Sequence, residues 1–185
     1  DIELNTFGFT PTGIPTQSGV TNPYVYNGLS CNTYYDWYVR AICGAGDTSV
    51  WAGQSSFYTD CGPITAPFSD AFDMVTAPSL SHCWSKIIRS CGSYARVESS
   101  TYGVHSAPNC MKMYKYCATD TLLLITPELS DLASQNNQIR FYAKGENAGF
   151  NIVVGTMSDP TDVTTFTPYQ IIPITTGYEA YKVVF

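Results

Sequence analysis

The most reactive side chains in this sequence are seven cysteines, at positions 31, 43, 61, 83, 91, 110 and 117. None of them forms a C-x-x-C, and the two histidines, His82 and His105, are far apart, so the spacing of a structural zinc site is missing. The chemistry left to the thiols is disulfide formation, and seven in 185 residues point to an oxidising compartment. An odd count leaves one cysteine over, either free or paired outside the sequence. If residues 33–42 and 54–60 pair as antiparallel strands, the start of one lies beside the end of the other, which brings Cys31 to Cys61. A hairpin of 93–100 with 110–116 brings Cys91 to Cys117 in the same way, and Cys43, Cys83 and Cys110 are left unassigned.

Catalytic chemistry is poorly provided for. A serine or cysteine nucleophile needs a base within reach, and neither histidine lies in a nucleophile motif. No H-E-x-x-H, Walker or dinucleotide glycine pattern occurs. Fifteen Asp and Glu are available, but nothing marks two of them as a glycosidase pair, which stands about 5 to 9 Å apart. The chain is therefore expected to be no enzyme. Binding is better served, because 14 Tyr and 3 Trp can offer flat faces on which sugars stack. Tyr34, Tyr38 and Tyr116 are the ligand-binding candidates, since strand periodicity can place each on an exposed face.

The elements that must hold these residues are strands. Leu29, Thr33, Tyr35, Trp37, Val39 and Ala41 recur at every second position, with Asp36, Tyr38 and Arg40 between them. A period of two assigns the first set to a core face and the second to a face that can meet water. Gly44-Ala45-Gly46-Asp47 ends the run. Residues 61–67, with two prolines in seven positions, read as a linker. Further strands are expected at 93–99, 110–116, 121–126, 138–144, 150–155, 169–174 and 179–185, with 121–126 apolar enough to be buried on both faces. Helix is confined to a turn near Ser158 to Val163, capped by Ser158 or Asp159.

Composition agrees with this reading. Hydrophobic residues make up 44% and charged residues only 13%, a balance that favours strands and turns. A net charge of -6 with nine Lys and Arg excludes a nucleic-acid surface of the usual basic kind. No apolar run approaches the roughly 18 residues of a membrane span, so membrane insertion is not expected.

The run Leu29-Ser30-Cys31-Asn32-Thr33-Tyr34-Tyr35-Asp36-Trp37-Tyr38-Val39-Arg40-Ala41 resembles the E–F corner and F strand of a fibronectin type III domain, with Cys31 where that family usually has proline. Tyr35 matches the tyrosine-corner residue, whose hydroxyl ties the strand start to the preceding loop, and Trp37 matches a core position. Ser49-Val50-Trp51-Ala52-Gly53 and Ser56-Phe57-Tyr58-Thr59 resemble the last strand of that family. Residues 66 to 185 resemble the jelly-roll modules called MAM-like, choice-of-anchor J or cleaved-adhesin domains of bacterial surface proteins. The features are Phe68-x-x-x-Phe72-Asp73, Cys83-Trp84, Leu123 to Leu129, Ile139 to Lys144, and Ile152 to Pro160 leading to Thr165-Phe166-Thr167. That resemblance implies a calcium ion, with Asp70 and Asp73 as its candidate ligands, since hard cations take carboxylate oxygen. Asp120-Thr121-Leu122 resembles a short O-glycosylation motif of bacterial secreted proteins, which makes Thr121 the acceptor. Both modules lack strands their families have, so the sequence is expected to be cut inside each.

The expected fold is all-β: an immunoglobulin-like (fibronectin type III) partial sandwich over residues 1–60, a linker at 61–67, and a jelly-roll β-sandwich over 68–185. The expected function is extracellular or cell-surface adhesion, with a glycan or a cell-surface protein as partner. The alternatives are an accessory region of a secreted hydrolase, or a structural repeat of a filament whose partners are copies of itself or neighbouring domains. Tandem copies of this unit in a longer chain would favour the last.

Overall fold

The computed structural model describes residues 1–134 and 137–185. The chain divides into two units, Asp1–Gly62 and Pro63–Phe185. Among the described residues, every regular element but one short 3-10 turn is a strand, and no helix is long and apolar enough to cross a membrane.

The first unit contains β1 (Ile2–Thr6), β2 (Tyr34–Val39), β3 (Ile42–Gly44), β4 (Asp47–Thr48) and β5 (Ala52–Tyr58). Strands β1, β2 and β5 form an antiparallel sheet with β2 in the centre, and β3 and β4 form a small hairpin beside the glycine turn. The register sets Leu4 opposite Trp37, Thr6 opposite Tyr35, and Tyr35 opposite Phe57. Leu4, Tyr35, Trp37 and Phe57 thus share one face, and Leu4 and Tyr35 are buried there. The Tyr35 hydroxyl accepts a hydrogen bond from the Ser30 N–H at 3.2 Å, which pins the loop that enters β2.

The opposite face is not open to water. Asp36 is fully buried, and its carboxylate accepts from Ser56 Oγ at 2.5 Å, Gln54 Nε2 at 2.6 Å and the Gly8 N–H at 2.7 Å. Glu3, also buried, accepts from the Thr12 N–H and hydroxyl and from the Gly13 N–H. Asp1 takes Ser18, Gly19 and the Arg40 guanidinium. The segment after β1 folds back over the sheet and satisfies its amides on these acids. Periodicity separates the two faces of a strand, but it does not say what covers the polar one.

The second unit continues with β6 (Ser85–Arg89), β7 (Arg96–Ser100), β8 (Cys110–Tyr114), β9 (Thr121–Ile125), β10 (Gln138–Ala143), β11 (Phe150–Thr156), a 3-10 turn (Val163–Thr165), β12 (Thr167–Ile174) and β13 (Glu179–Val184). They pair antiparallel as β6 with β9, β7 with β8, β10 with β13, and β11 with β12. Ile172, Ile174 and Val183 form a buried core with Ile139, Phe141, Ile152, Val154 and Tyr181 packed against it, so the last two pairs share one hydrophobic interior. Gly155 sits at a bulge in β11, and a Cβ there would collide with the Thr167 carbonyl, so no side chain is tolerated. Strand β9 is half-buried along most of its length. The short turn is capped by Asp162, which accepts from the Thr164 N–H, four residues beyond the expected Ser158 and three beyond Asp159. Residues 63–67 are held within this unit: Ile64 bridges Leu129, and the Ala66 N–H donates to the Asp131 carboxylate. The chain is all-β, made of several small antiparallel sheets of generic β-sandwich character.

Candidate recognition cleft

Strand β7, strand β8 and the segments flanking them build the accessible aromatic site of the second unit. Cys91, before β7, and Cys117, after β8, are joined in a disulfide whose Cα atoms lie 6.2 Å apart. Beside it the buried carboxylate of Asp120 accepts from the Cys91 N–H at 3.1 Å and from the Tyr116 and Cys117 N–H groups at 2.8 Å each. Burial opposes ionisation of this acid, but the donors from Cys117, Ser90, Tyr116 and Cys91 outweigh it and bring its pKa down to about 2. Both ends of the hairpin are therefore fixed covalently and by a charged acceptor.

Tyr116 stands on this brace, 53% exposed, with its ring over Gly92. A Cβ at position 92 would come within 2.9 Å of the ring, so glycine is what allows the ring to lie there. Tyr94, 61% exposed, meets it with centroids 5.2 Å apart and the planes tilted by 46°. Next to Tyr116 is an open cleft of about 460 Å³, bounded on its other side by Gly149, Phe150 and Asn151. Phe150 is 48% exposed. The Lys115 ammonium at the rim donates to the Ala118 carbonyl at 3.1 Å. The cleft thus offers exposed aromatic rings, an amide and backbone groups, the chemistry that takes up a sugar ring and its hydroxyls.

The other aromatic candidates are used for packing. Tyr34 lies between two rings, with Phe7 at 4.4 Å and Tyr58 at 4.2 Å and interplanar angles of 14° and 12°, so neither of its faces can receive a sugar. Tyr38 is half-buried in an edge-to-face pair with Phe9 at 5.5 Å. Trp37 is half-buried on the same face as Tyr35.

Asp70 is engaged by donors of the protein itself. One of its oxygens accepts from the Phe72 N–H and the other from Ser81 Oγ and Trp84 Nε1, an arrangement that orients Trp84 against Phe72 and Phe68. Asp73 is exposed. Cys91, Cys117 and Asp120 lie within 4.8 Å of one another, but both sulfurs are spent in the disulfide and the carboxylate is filled with N–H donors. Thr121 is exposed at the start of β9, while the adjacent Asp120 points inward.

Cys31 and Cys61 are not paired with each other: Cys31 is a free thiol, whereas Cys61 is disulfide-bonded. The strand ends do meet, since the Asn32 N–H donates to the Asp60 carbonyl and the Asn32 amide bonds Gly62 through both of its atoms. Backbone proximity places two cysteines near each other without directing their Cβ atoms into the narrow geometry of a disulfide. Cys83 is also disulfide-bonded, and Cys43 and Cys110 are free.

Sequence periodicity did not single out Tyr94, Phe150 or Asp120. Only Asp120 left a signal, as an acid four positions into the turn Cys117-Ala118-Thr119-Asp120, where a carboxylate commonly takes the local amides. Comparisons of the chain with protein-family models, with curated proteins and with solved structures find no match.

Proposed function

We propose that this chain is a non-catalytic recognition region of an extracellular or cell-surface protein and that the cleft beside Tyr116 binds a glycan. One observation carries the reading: Tyr116, paired with the exposed Tyr94, and Phe150 remain exposed at a cleft whose Tyr116 side is locked by the Cys91–Cys117 disulfide and Asp120. Large aromatic rings are costly to leave in water, and a rigid aromatic surface loses little entropy on binding. In this reading the first unit is a fibronectin type III-like spacer, supported by the Tyr35 hydroxyl bond to the Ser30 N–H. The second is a jelly-roll adhesin-like module, supported by the shared core of β10 to β13. The disulfides support an oxidising location.

The test is binding of the intact chain to an array of neutral and charged oligosaccharides, repeated with Tyr116→Ala and Gly92→Ala. Tyr116→Ala removes one stacking face and is expected to weaken binding about five- to tenfold, the equivalent of an aromatic contact of roughly 1–1.5 kcal/mol. Gly92→Ala leaves every cleft group in place but displaces the ring, and is expected to weaken the same ligands. Equal binding by both variants and the parent chain, or binding to no sugar at all, would overturn the reading.

A further inference from the structure

The outer face of the β10–β13 pair has an unusual charge distribution. Alternation along β10 puts Gln138, Arg140 and Tyr142 outward, and along β13 Ala180, Lys182 and Val184; all six are exposed, while Ile139, Phe141, Tyr181 and Val183 turn to the core. In the register Arg140 stands directly opposite Lys182, and Tyr142 opposite Ala180. Like charges placed directly across a sheet repel one another. Lys144 follows β10, so three of the nine Lys and Arg in a chain of net charge -6 gather on one two-stranded face. Among the described residues, none of the three makes an ion pair. The acids of these same segments are Glu179, which faces the other side of the sheet opposite Ala143, and Glu146, exposed in the turn after β10.

Aromatic rings are built into the same face. His105 stacks on Tyr142 with centroids 3.9 Å apart and planes within 16°, and meets Tyr178 edge-on at 5.1 Å. The Tyr178 hydroxyl donates to the Gly103 carbonyl at 2.5 Å, which fixes that ring. The Lys144 ammonium lies 4.9 Å from the Tyr178 centroid, above the ring. Burial, followed by the neighbouring Cys110 thiol, raises the pKa of Tyr178, so the phenol stays protonated and keeps this bond. Tyr142 is nevertheless 58% exposed.

We infer that the outer face of β10 and β13, with the loop carrying His105, is a second binding surface specific for acidic oligosaccharides of the uronic-acid class. Arg140, Lys182 and Lys144 would take the carboxylates, and the exposed Tyr142 would pack on the apolar face of a sugar ring. An anion bridging Arg140 and Lys182 removes the repulsion that the register imposes. The occupant is a saccharide because the cations are few and interleaved with an anchored aromatic cluster. A nucleic-acid strand needs a denser basic surface than three cations supply. This surface does not depend on the Tyr116 cleft, and it uses none of the same residues.

The experiment measures binding of the full chain to hexagalacturonate. Controls are a neutral hexasaccharide, poly-glutamate, oligothymidylate and vesicles of phosphatidylcholine with phosphatidylglycerol. The paired change Arg140→Gln with Lys182→Gln is expected to reduce hexagalacturonate affinity at least tenfold. Tyr142→Ala should weaken it about fivefold, and Arg140→Lys with Lys182→Arg should restore it. Binding of neutral sugars at the Tyr116 cleft should be unchanged in every variant, and affinity should fall as salt is raised. No binding of hexagalacturonate, equal affinity in the Gln pair, or equal affinity for poly-glutamate, oligothymidylate or the vesicles would overturn the assignment. Loss of neutral-sugar binding in Tyr116→Ala alone would test the first site and leave this one standing.

Discussion

Replacing Cys91 and Cys117 together by alanine tests how the cleft is held. The bond links residues 26 positions apart and so closes the loop that contains β7 and β8. Cross-linking a loop of that length removes about 12 cal/mol/K from the unfolded chain, or about 3.5 kcal/mol at 25 °C. The hydrogen bonds of Asp120 to Cys91, Tyr116 and Cys117 restrain the same ends in the folded state. They do not substitute for the disulfide, because the loop-entropy effect acts on the unfolded state. The double variant should therefore fold, but lose close to the full amount. The assay is hydrogen exchange of the β7 and β8 amides against urea, which reports on the second unit without interference from the first. With a slope of roughly 1–2 kcal/mol/M the midpoint falls by about 1.8–3.5 M. A loss below about 1 kcal/mol with the slope unchanged would refute the loop argument. A changed slope would assign the effect to the compactness of the unfolded chain instead.

Acidification should act on the second unit through Asp120. Its folded pKa of about 2 lies below the ordinary value of 3.8, so its stabilisation is complete above about pH 4 and is lost as pH falls towards 2. Urea midpoints between pH 5 and 2, read from the β8 amides, should show this loss in the parent chain. Asp120→Asn should be less stable at pH 5 and flatter with pH; an unchanged profile would refute the assignment. Asp159, lowered by the Thr161 hydroxyl and N–H, adds a component of the same sign that Asp120→Asn leaves in place. In the first unit, Tyr35→Phe deletes only the hydroxyl that holds the Ser30 N–H and should cost about 1 kcal/mol in urea unfolding, with β1, β2 and β5 intact by hydrogen exchange. No loss would mean that water serves the Ser30 amide equally well.

The strands were legible in the sequence where one face is apolar. The pattern of 138–144 and 179–185 reappears as β10 and β13, and Ile139, Phe141 and Val183 lie in the core as their alternation requires. Strand β6 was not legible, because Ser85-Lys86-Ile87-Ile88-Arg89 alternates imperfectly and follows a loop rich in turn residues. Asp36 departs from its expected exposure for a different reason. Its position between Tyr35 and Trp37 fixes the side to which it points, but its burial depends on a loop that begins nearly thirty positions earlier. Of the candidate site, Tyr116 was named from an expected strand over 110–116, but β8 ends at Tyr114, and the exposure of Tyr116 comes from the turn that follows. Tyr94 and Phe150 were not named, because they belong to turns and strand ends whose approach is decided by tertiary packing.

The acids explain why the cations are left over. Glu3, Asp36, Asp70, Asp120, Asp131, Asp159 and Asp162 each accept from at least one backbone N–H. In a chain with long connections and hardly any helix, loop amides have few carbonyl partners, and carboxylates take that role. An acid filled with N–H donors is a poor partner for lysine or arginine. Among the described residues, Arg40 with Asp1 is accordingly the one ion pair. The net charge of -6 therefore misrepresents the surface, because part of the negative charge is committed inside loops while Arg140, Lys144 and Lys182 remain outside. Adding an acid on the outer face, as in Ala180→Glu beside Tyr142, should supply the missing counter-charge. It is expected to raise thermal stability slightly while abolishing hexagalacturonate binding. Retained binding in that variant would show that Arg140 and Lys182 do not meet the ligand.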